Sequence, residues 1–173
     1  MEQIVKLRPT TSEDLDFVLC TENHPENCPY IFQWTKEQHK LAIENPNVAH
    51  FIVERATDSV PVGYVILLGI EEIHQSIELT RTAFAEKGKG YGRQMLRLIK
   101  KWAFKEKKAN RLWLEVIDHN TRAKQLYLSE GFVEEGLKRE AVKFQGKLES
   151  IFVLSILSRE YAEMKDEIRL FCV

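Results

Sequence analysis

Glu86-Lys87-Gly88-Lys89-Gly90-Tyr91-Gly92-Arg93 stands between a strand-like run and a strongly periodic helical one. Upstream, Ile77 to Phe84 is rich in β-branched and apolar residues and reads as a strand. Downstream, from Gly90 to Lys107, Met95, Leu96, Ile99, Trp102 and Ala103 fall on one helical stripe, while Arg97, Lys101, Lys105 and Lys108 face outward. Such a turn gathers unpaired N–H groups at the positive end of a helix, and glycine lets a ligand come close to them. Lys87, Lys89 and Arg93 add mobile positive charge. The competing reading is a helix entry loosened by glycines, with lysines serving solubility only. Strand before and helix after favour a phosphate cradle. The cradle is not a Walker A loop, because Arg93 and Gln94 follow Gly92 where Lys and Ser or Thr are required. A dinucleotide fingerprint started at Gly88 needs glycine where Arg93 stands, and no strand-first repeat precedes it.

Working outward, Val5 and Leu7 alternate with Lys6 and Arg8 up to Pro9, a first strand. Thr11 or Ser12 caps a helix carrying Leu15, Val18 and Leu19 on one face. Glu22 to Trp34, with Pro25, Asn27 and Pro29, reads as an aromatic loop, followed by a helix from Thr35 to about Glu44 and a turn at Asn45-Pro46-Asn47. Strands at Ala49 to Glu54, Val62 to Leu68 and Ile77 to Phe84 then form an antiparallel meander. Beyond the long helix come a strand at Arg111 to Val116 and a helix from Asn120 that stops at Gly131. Phe132 to Glu140 and Leu148 to Leu157 make a hairpin about Gln145-Gly146, and a charged helix closes the chain.

The 173 residues suit one α/β domain spanning 1–173, and neither a repeat nor a low-complexity segment is visible. Apolar residues make up 44% and charged residues 29%, and 25 basic against 26 acidic side chains leave a formal charge of −1, which excludes a nucleic-acid coat or a membrane-surface binder. Cys20, Cys28 and Cys172 are odd in number and lack CxxC spacing, so neither a disulfide framework nor a zinc cluster is expected. His24, His39, His50, His74 and His119 show no ligand spacing, and no metal is expected. Met1-Glu2-Gln3-Ile4 begins no signal peptide and no apolar run approaches the ~20 residues of a membrane span, so the expected location is the cytoplasm.

Taken together, these features resemble the GNAT N-acetyltransferase superfamily. The turn is similar to that family's Gln/Arg-x-x-Gly-x-Gly/Ala signature, with Lys87 in the first position keeping the charge. Leu112-Trp113-Leu114-Glu115-Val116, then Asn120, then Ala123, Leu126, Tyr127, Gly131 and Phe132 resemble its fifth strand, its Asn and its helix-to-strand motif. The likeness runs from about Ile52 to Leu157 and looks most like the ribosomal-protein and spermidine acetyltransferase branch. It implies an α+β fold: a mixed, mostly antiparallel sheet of six to seven strands, helices on both faces, and strands four and five parallel and splayed. It also implies acetyl-coenzyme A as cosubstrate. The pantetheine arm would lie along Thr80, Arg81, Thr82 and Phe84, the pyrophosphate on Lys87, Gly88, Lys89, Gly90, Tyr91, Gly92 and Arg93, and Asn120 would touch the cofactor from the other side.

An aliphatic amine with a pKa of about 10 is protonated at neutral pH, so a base must accompany transfer. Glu78 and Glu115 are the candidates, each matching a base position in some branch of the family. Each also has an ordinary reading: Glu78 pairs with Arg81 or a lysine, and Glu115 ends its strand. Tyr127 matches the family's general acid for the departing thiolate, against the reading of a half-buried core aromatic. The expected reaction is direct attack of the amine on acetyl-coenzyme A in a ternary complex. A non-catalytic acyl-coenzyme A sensor of the same fold is the alternative. Lys100, Lys101, Lys105, Lys107 and Lys108 read as a solvated face. The loop Glu22 to Trp34 and the hairpin about Gln145 would wall the acceptor pocket. There Tyr30, Phe32 and Trp34 offer apolar contact, and Glu22, Glu26, Glu71 and Glu72 attract a cation. Polyamine, protein N-terminus, amino sugar and amino acid all remain open as acceptor, and a homodimer through strand edges or the last helix is compatible with the pattern.

Overall fold

A computed structural model of the chain describes residues 3–170, with side chains as far as Met164. Cys172 lies outside the described residues. Seven strands form one sheet: β1 (Val5–Pro9), β2 (Val48–Arg55), β3 (Pro61–Leu68), β4 (Ser76–Phe84), β5 (Arg111–Ile117), β6 (Val133–Phe144) and β7 (Lys147–Leu157), in the spatial order β1-β2-β3-β4-β5-β7-β6. The helices are α1 (Leu15–Asn23), α2 (Lys36–Glu44), α3 (Tyr91–Lys101), α4 (Thr121–Ser129) and α5 (Ser158–Leu170). This is the mixed, mostly antiparallel sheet expected from the family resemblance. The expected meander of β1 to β4 is antiparallel throughout, β4 and β5 are parallel, and the β6–β7 hairpin folds back so that β7, not β6, pairs with β5.

Alternation along the strands sends side chains to opposite faces, which is how one sheet supports two cores. Val53, Val65, Leu67, Ile77 and Leu79 pack with Met95, Leu96 and Ile99 of α3 and Tyr161 of α5. Ile52, Tyr64 and Ile66 pack with Val18 of α1 and Ile31. The long helix ends differently from the sequence reading: after Lys101 it widens into a π turn over Trp102–Glu106, so the helical stripe continues in another geometry. Among the described residues, no helix is long and apolar enough to cross a membrane.

Two irregularities in β4 position the site. Its parallel pairing with β5 has three rungs, Ser76 with Arg111, Ile77 with Leu112 and Glu78 with Trp113, after which the strands part. The partnership with β3 jumps from Leu67–Leu79 to Ile66–Arg81, so Thr80 is the extra residue of a β-bulge. The bulge reverses the alternation. Ile77 and Leu79 face the α3 core, whereas Ala83 joins the core beneath α1. Arg81, two residues from Ala83, is turned to that same face.

Candidate active site

The parting of β4 and β5 opens a cleft of about 900 Å³, lined by residues of both strands, the glycine turn, α4 and the loop after α1. It gathers Glu78, Glu115, Tyr127 and Asn120 with the whole stretch Lys87 to Arg93. Thr80, Arg81, Thr82 and Phe84 line it as well. All the residues singled out in the sequence as catalytic or cofactor-binding therefore border one cavity.

The glycine turn meets the requirements of an anion site. Gly90 is the N-cap of α3 in the left-handed conformation, φ 79°, and supplies no side-chain cap to the first turn. Gly88 is also left-handed, φ 81°, and a Cβ there would meet no atom within 4 Å, so this backbone is open to a ligand. Two of the basic side chains are already engaged. The Lys87 ammonium donates to the Glu26 carbonyl at 2.6 Å, tying the turn to the loop after α1. Arg93 donates to Glu130 at 2.7 Å. Opposite the turn, the Asn120 side chain accepts from the Ala123 amide at 3.2 Å and caps α4.

Beyond the last rung, among the described residues, β4 has no strand partner on the β5 side. An extended chain could pair there, as at any free strand edge. The edge is not wholly open, because Asn27 Nδ2 donates to the Phe84 carbonyl at 3.0 Å as well as to Thr21. Asn27 reads in the sequence only as a turn former, and nothing in its context announces this contact.

The two carboxylates differ in surroundings. Glu78 sits at the last rung, where burial, reinforced by the nearby Glu115, pushes its carboxyl above the ordinary value. Glu115, half-buried like Glu78, is held in an ion pair by Lys138 of β6. The ordinary pairing considered for Glu78 with Arg81 does not occur, since Arg81 bonds to Glu22 at 3.1 Å. Tyr127 is 7% exposed, lies edge-on to Phe132 at 5.7 Å, and burial pushes its phenol up to about 12.

Three expectations about the surroundings need correction. Glu22 is no open cation attractor: it is fully buried among Tyr64, Arg81 and His39. Glu71 and Glu72 belong to the β3–β4 turn near Asn47, at the closed end of β4, and do not line the cleft. Lys100 is not on a solvated face. It is buried and donates to the Glu130 carbonyl at 2.5 Å, and Glu130 also holds Arg93 and Arg97, so α3 is clasped to the end of α4. Periodicity misassigned Lys100 because its partner is a carboxylate 30 residues away. The aromatic loop does reach the cleft: Tyr30, Phe32 and Trp34 line it, as does Glu26. The hairpin reaches the same wall, with Phe32 and Phe144 rings 4.6 Å apart.

Comparison with known proteins agrees with this geometry. Residues 15–132 match the acetyltransferase (GNAT) family. The spermidine N(1)-acetyltransferase of Vibrio cholerae is 27% identical, covering 93% of this chain and 97% of its own, and that of Escherichia coli is 26% identical over 91% and 88%. A crystal structure of the Vibrio cholerae enzyme in complex with CoA and spermine superposes with a TM-score of 0.83 at 26% identity, covering 93% of this chain and 99% of that one. A dodecameric structure of the same relative has a TM-score of 0.79 at 25% identity, covering 92% and 97%.

Proposed function

We propose that this chain, which belongs to the acetyltransferase (GNAT) family, carries out its acetyl-CoA-dependent N-acetylation on a polyamine. The observation that carries the acceptor assignment is the lining of the cleft, which includes the carboxylates Glu26, Glu78 and Glu115 together with the aromatic residues Tyr30 and Phe32. A flexible chain of methylenes and ammonium groups matches a lining that holds both carboxylates and aromatic rings. The spermidine acetyltransferases among its relatives support the same acceptor class.

In this reading the amides from Gly88 to Arg93 bind the pyrophosphate, the edge of β4 about Thr80 to Thr82 takes the pantetheine arm, and Asn120 closes over it. Acetyl-CoA supplies the activated thioester. Glu78 accepts the proton of the incoming ammonium, because a carboxyl raised by burial is the better base. Glu115, neutralised by Lys138, orients the amine. The free amine attacks the thioester carbonyl, N–H groups at the β4 opening stabilise the oxyanion, Tyr127 gives its proton to the leaving thiolate as the C–S bond breaks, and the phenolate recovers a proton from the acetylated nitrogen, directly or through water. Burial keeps the Tyr127 phenol protonated until charge develops on the departing sulfur.

The chain acts as one domain in the cytoplasm, in keeping with a single sheet drawn from Val5 to Leu157 and with free Cys20 and Cys28. For assembly, the smallest unit is a dimer across the outer edge of β6, which carries the exposed Val133 and Leu137. The test of the acceptor is kcat/KM for spermidine, spermine, a monoamine and an N-terminal peptide. A preference for the polyamines of at least about tenfold is expected, each distal cation contributing roughly 1.4 kcal/mol. Preference for the peptide would reject the assignment.

A further inference from the structure

Five elements meet at one buried carboxylate that the reaction does not use. Glu22 of α1 is fully buried and accepts from Tyr64 Oη of β3 at 2.7 Å, from Arg81 of β4 at 3.1 Å and from the Trp34 amide at 3.2 Å. His39 Nε2 of α2 lies 3.3 Å away, His39 Nδ1 meets His50 Nε2 of β2 at 3.1 Å, and His50 Nδ1 meets Thr10 Oγ1 at 2.8 Å. Burial alone would raise the Glu22 carboxyl, but the bonds from His39 and Tyr64 and the charge of Arg81 outweigh it and hold it below the ordinary value. The Glu22–Arg81 pair is thus ionic at neutral pH and fixed on several sides.

Arg81 is the link to the cleft. Its guanidinium donates to the Phe32 carbonyl and lies 4.2 Å over the Trp34 ring. Phe32 and Trp34 form the aromatic wall of the cleft, and both are held by backbone or ring contacts to this one network. A loop carries few such contacts of its own, so its shape follows its anchors. The bulge at Thr80 is what turns Arg81 toward α1; without the extra residue it would follow Leu79 into the α3 core.

We infer that Arg81, locked by Glu22, is a positioning residue that sets the acceptor wall, and therefore determines amine affinity and selectivity without touching the amine. The inference rests on the reading that this wall faces the acceptor. Lysine cannot replace Arg81, because a single ammonium cannot serve Glu22, the Phe32 carbonyl and the Trp34 face together. Glutamine at position 22 would keep a group for Tyr64 while losing the ion pair.

The experiment compares wild type, Glu22→Gln and Tyr64→Phe, which loosen the hold on Arg81 from outside the cleft, by steady-state kinetics and by hydrogen exchange of the segment 28–35. Both variants should raise KM for the amine about tenfold while kcat and KM for acetyl-CoA stay within about threefold, and exchange in 28–35 should quicken while α3 and β5 keep their protection. Equal loss in kcat and both KM values, or unchanged exchange in 28–35, would overturn the inference. Exchange needs no substrate, so this result stands apart from the choice of acceptor. If Glu22→Gln does not fold, Tyr64→Phe decides by the same two readouts.

Discussion

Glu78 stands opposite Trp113 at the last rung that joins β4 to β5, two residues before the bulge at Thr80. The carboxylate therefore sits at the vertex of the cleft, half-buried by the strands that still pair and open to the space where they no longer do. Glu115 is two residues beyond Trp113 on the diverging strand and is neutralised by Lys138. That difference in position separates the two candidate bases.

Replacing Glu78 with Gln lowers kcat/KM for the amine by about 10²-fold or more, whereas Glu115→Gln lowers it by less than about tenfold. Steady-state rates of thiol release give both values. Equal losses would mean that the two carboxylates share the proton.

The pH profile carries the same distinction. A base must be ionised to act, and burial raises the Glu78 carboxyl above the ordinary 4.5. The acid limb of kcat/KM accordingly falls as pH drops through that raised value, earlier than for an ordinary carboxylate, and Glu78→Gln abolishes it. Rates of the residual activity measured from pH 5 upward in both proteins check this.

Tyr127→Phe keeps the buried ring and its packing on Phe132 but removes the proton donor. kcat falls by about 10²-fold while acetyl-CoA affinity changes little. Direct binding of the cofactor, measured beside turnover, separates this from a general loss of the pocket.

Gly88 and Gly90 have left-handed backbones at φ 81° and 79°. Alanine at either costs about 1–2 kcal/mol of backbone strain and intrudes on the anion site, so acetyl-CoA binding weakens by about tenfold or more. Calorimetric titration of the variants reads the change.

Burial, followed by the charge of His39, lowers His50 from 6.5 to about 4. Between these values the unfolded chain binds a proton that the folded one refuses. Stability is therefore fully present above about pH 6.5 and declines toward pH 4, by about 3 kcal/mol from this group. Thermal unfolding at pH 7.5, 5.5 and 4.5 shows the decline, and His50→Gln flattens it.

Much of this was legible in the sequence where the signal is local. The strand, glycine turn and periodic helix from Ile77 to Lys107 set the fold, because phosphate-binding turns and amphipathic stripes are written in neighbouring residues. What could not be read there depends on long-range pairing. Glu22 looked like a loop-side carboxylate, yet its partners Tyr64 and Arg81 are 42 and 59 residues away. Lys100 looked like one of a solvated lysine row, and only the fold brings Glu130 beneath it. The bulge at Thr80 leaves only a faint trace, since the apolar alternation of Ile77 and Leu79 breaks at Arg81, a break that a half-polar strand would show as well; only the register with β3 identifies it.

The central claim is that an amine attacks acetyl-CoA directly in the cleft between β4 and β5. Initial rates over a grid of acetyl-CoA and spermidine concentrations test it most directly. Intersecting reciprocal plots with acetylated spermidine as product are predicted. Parallel plots, or an acetylated protein formed before spermidine is added, would contradict it.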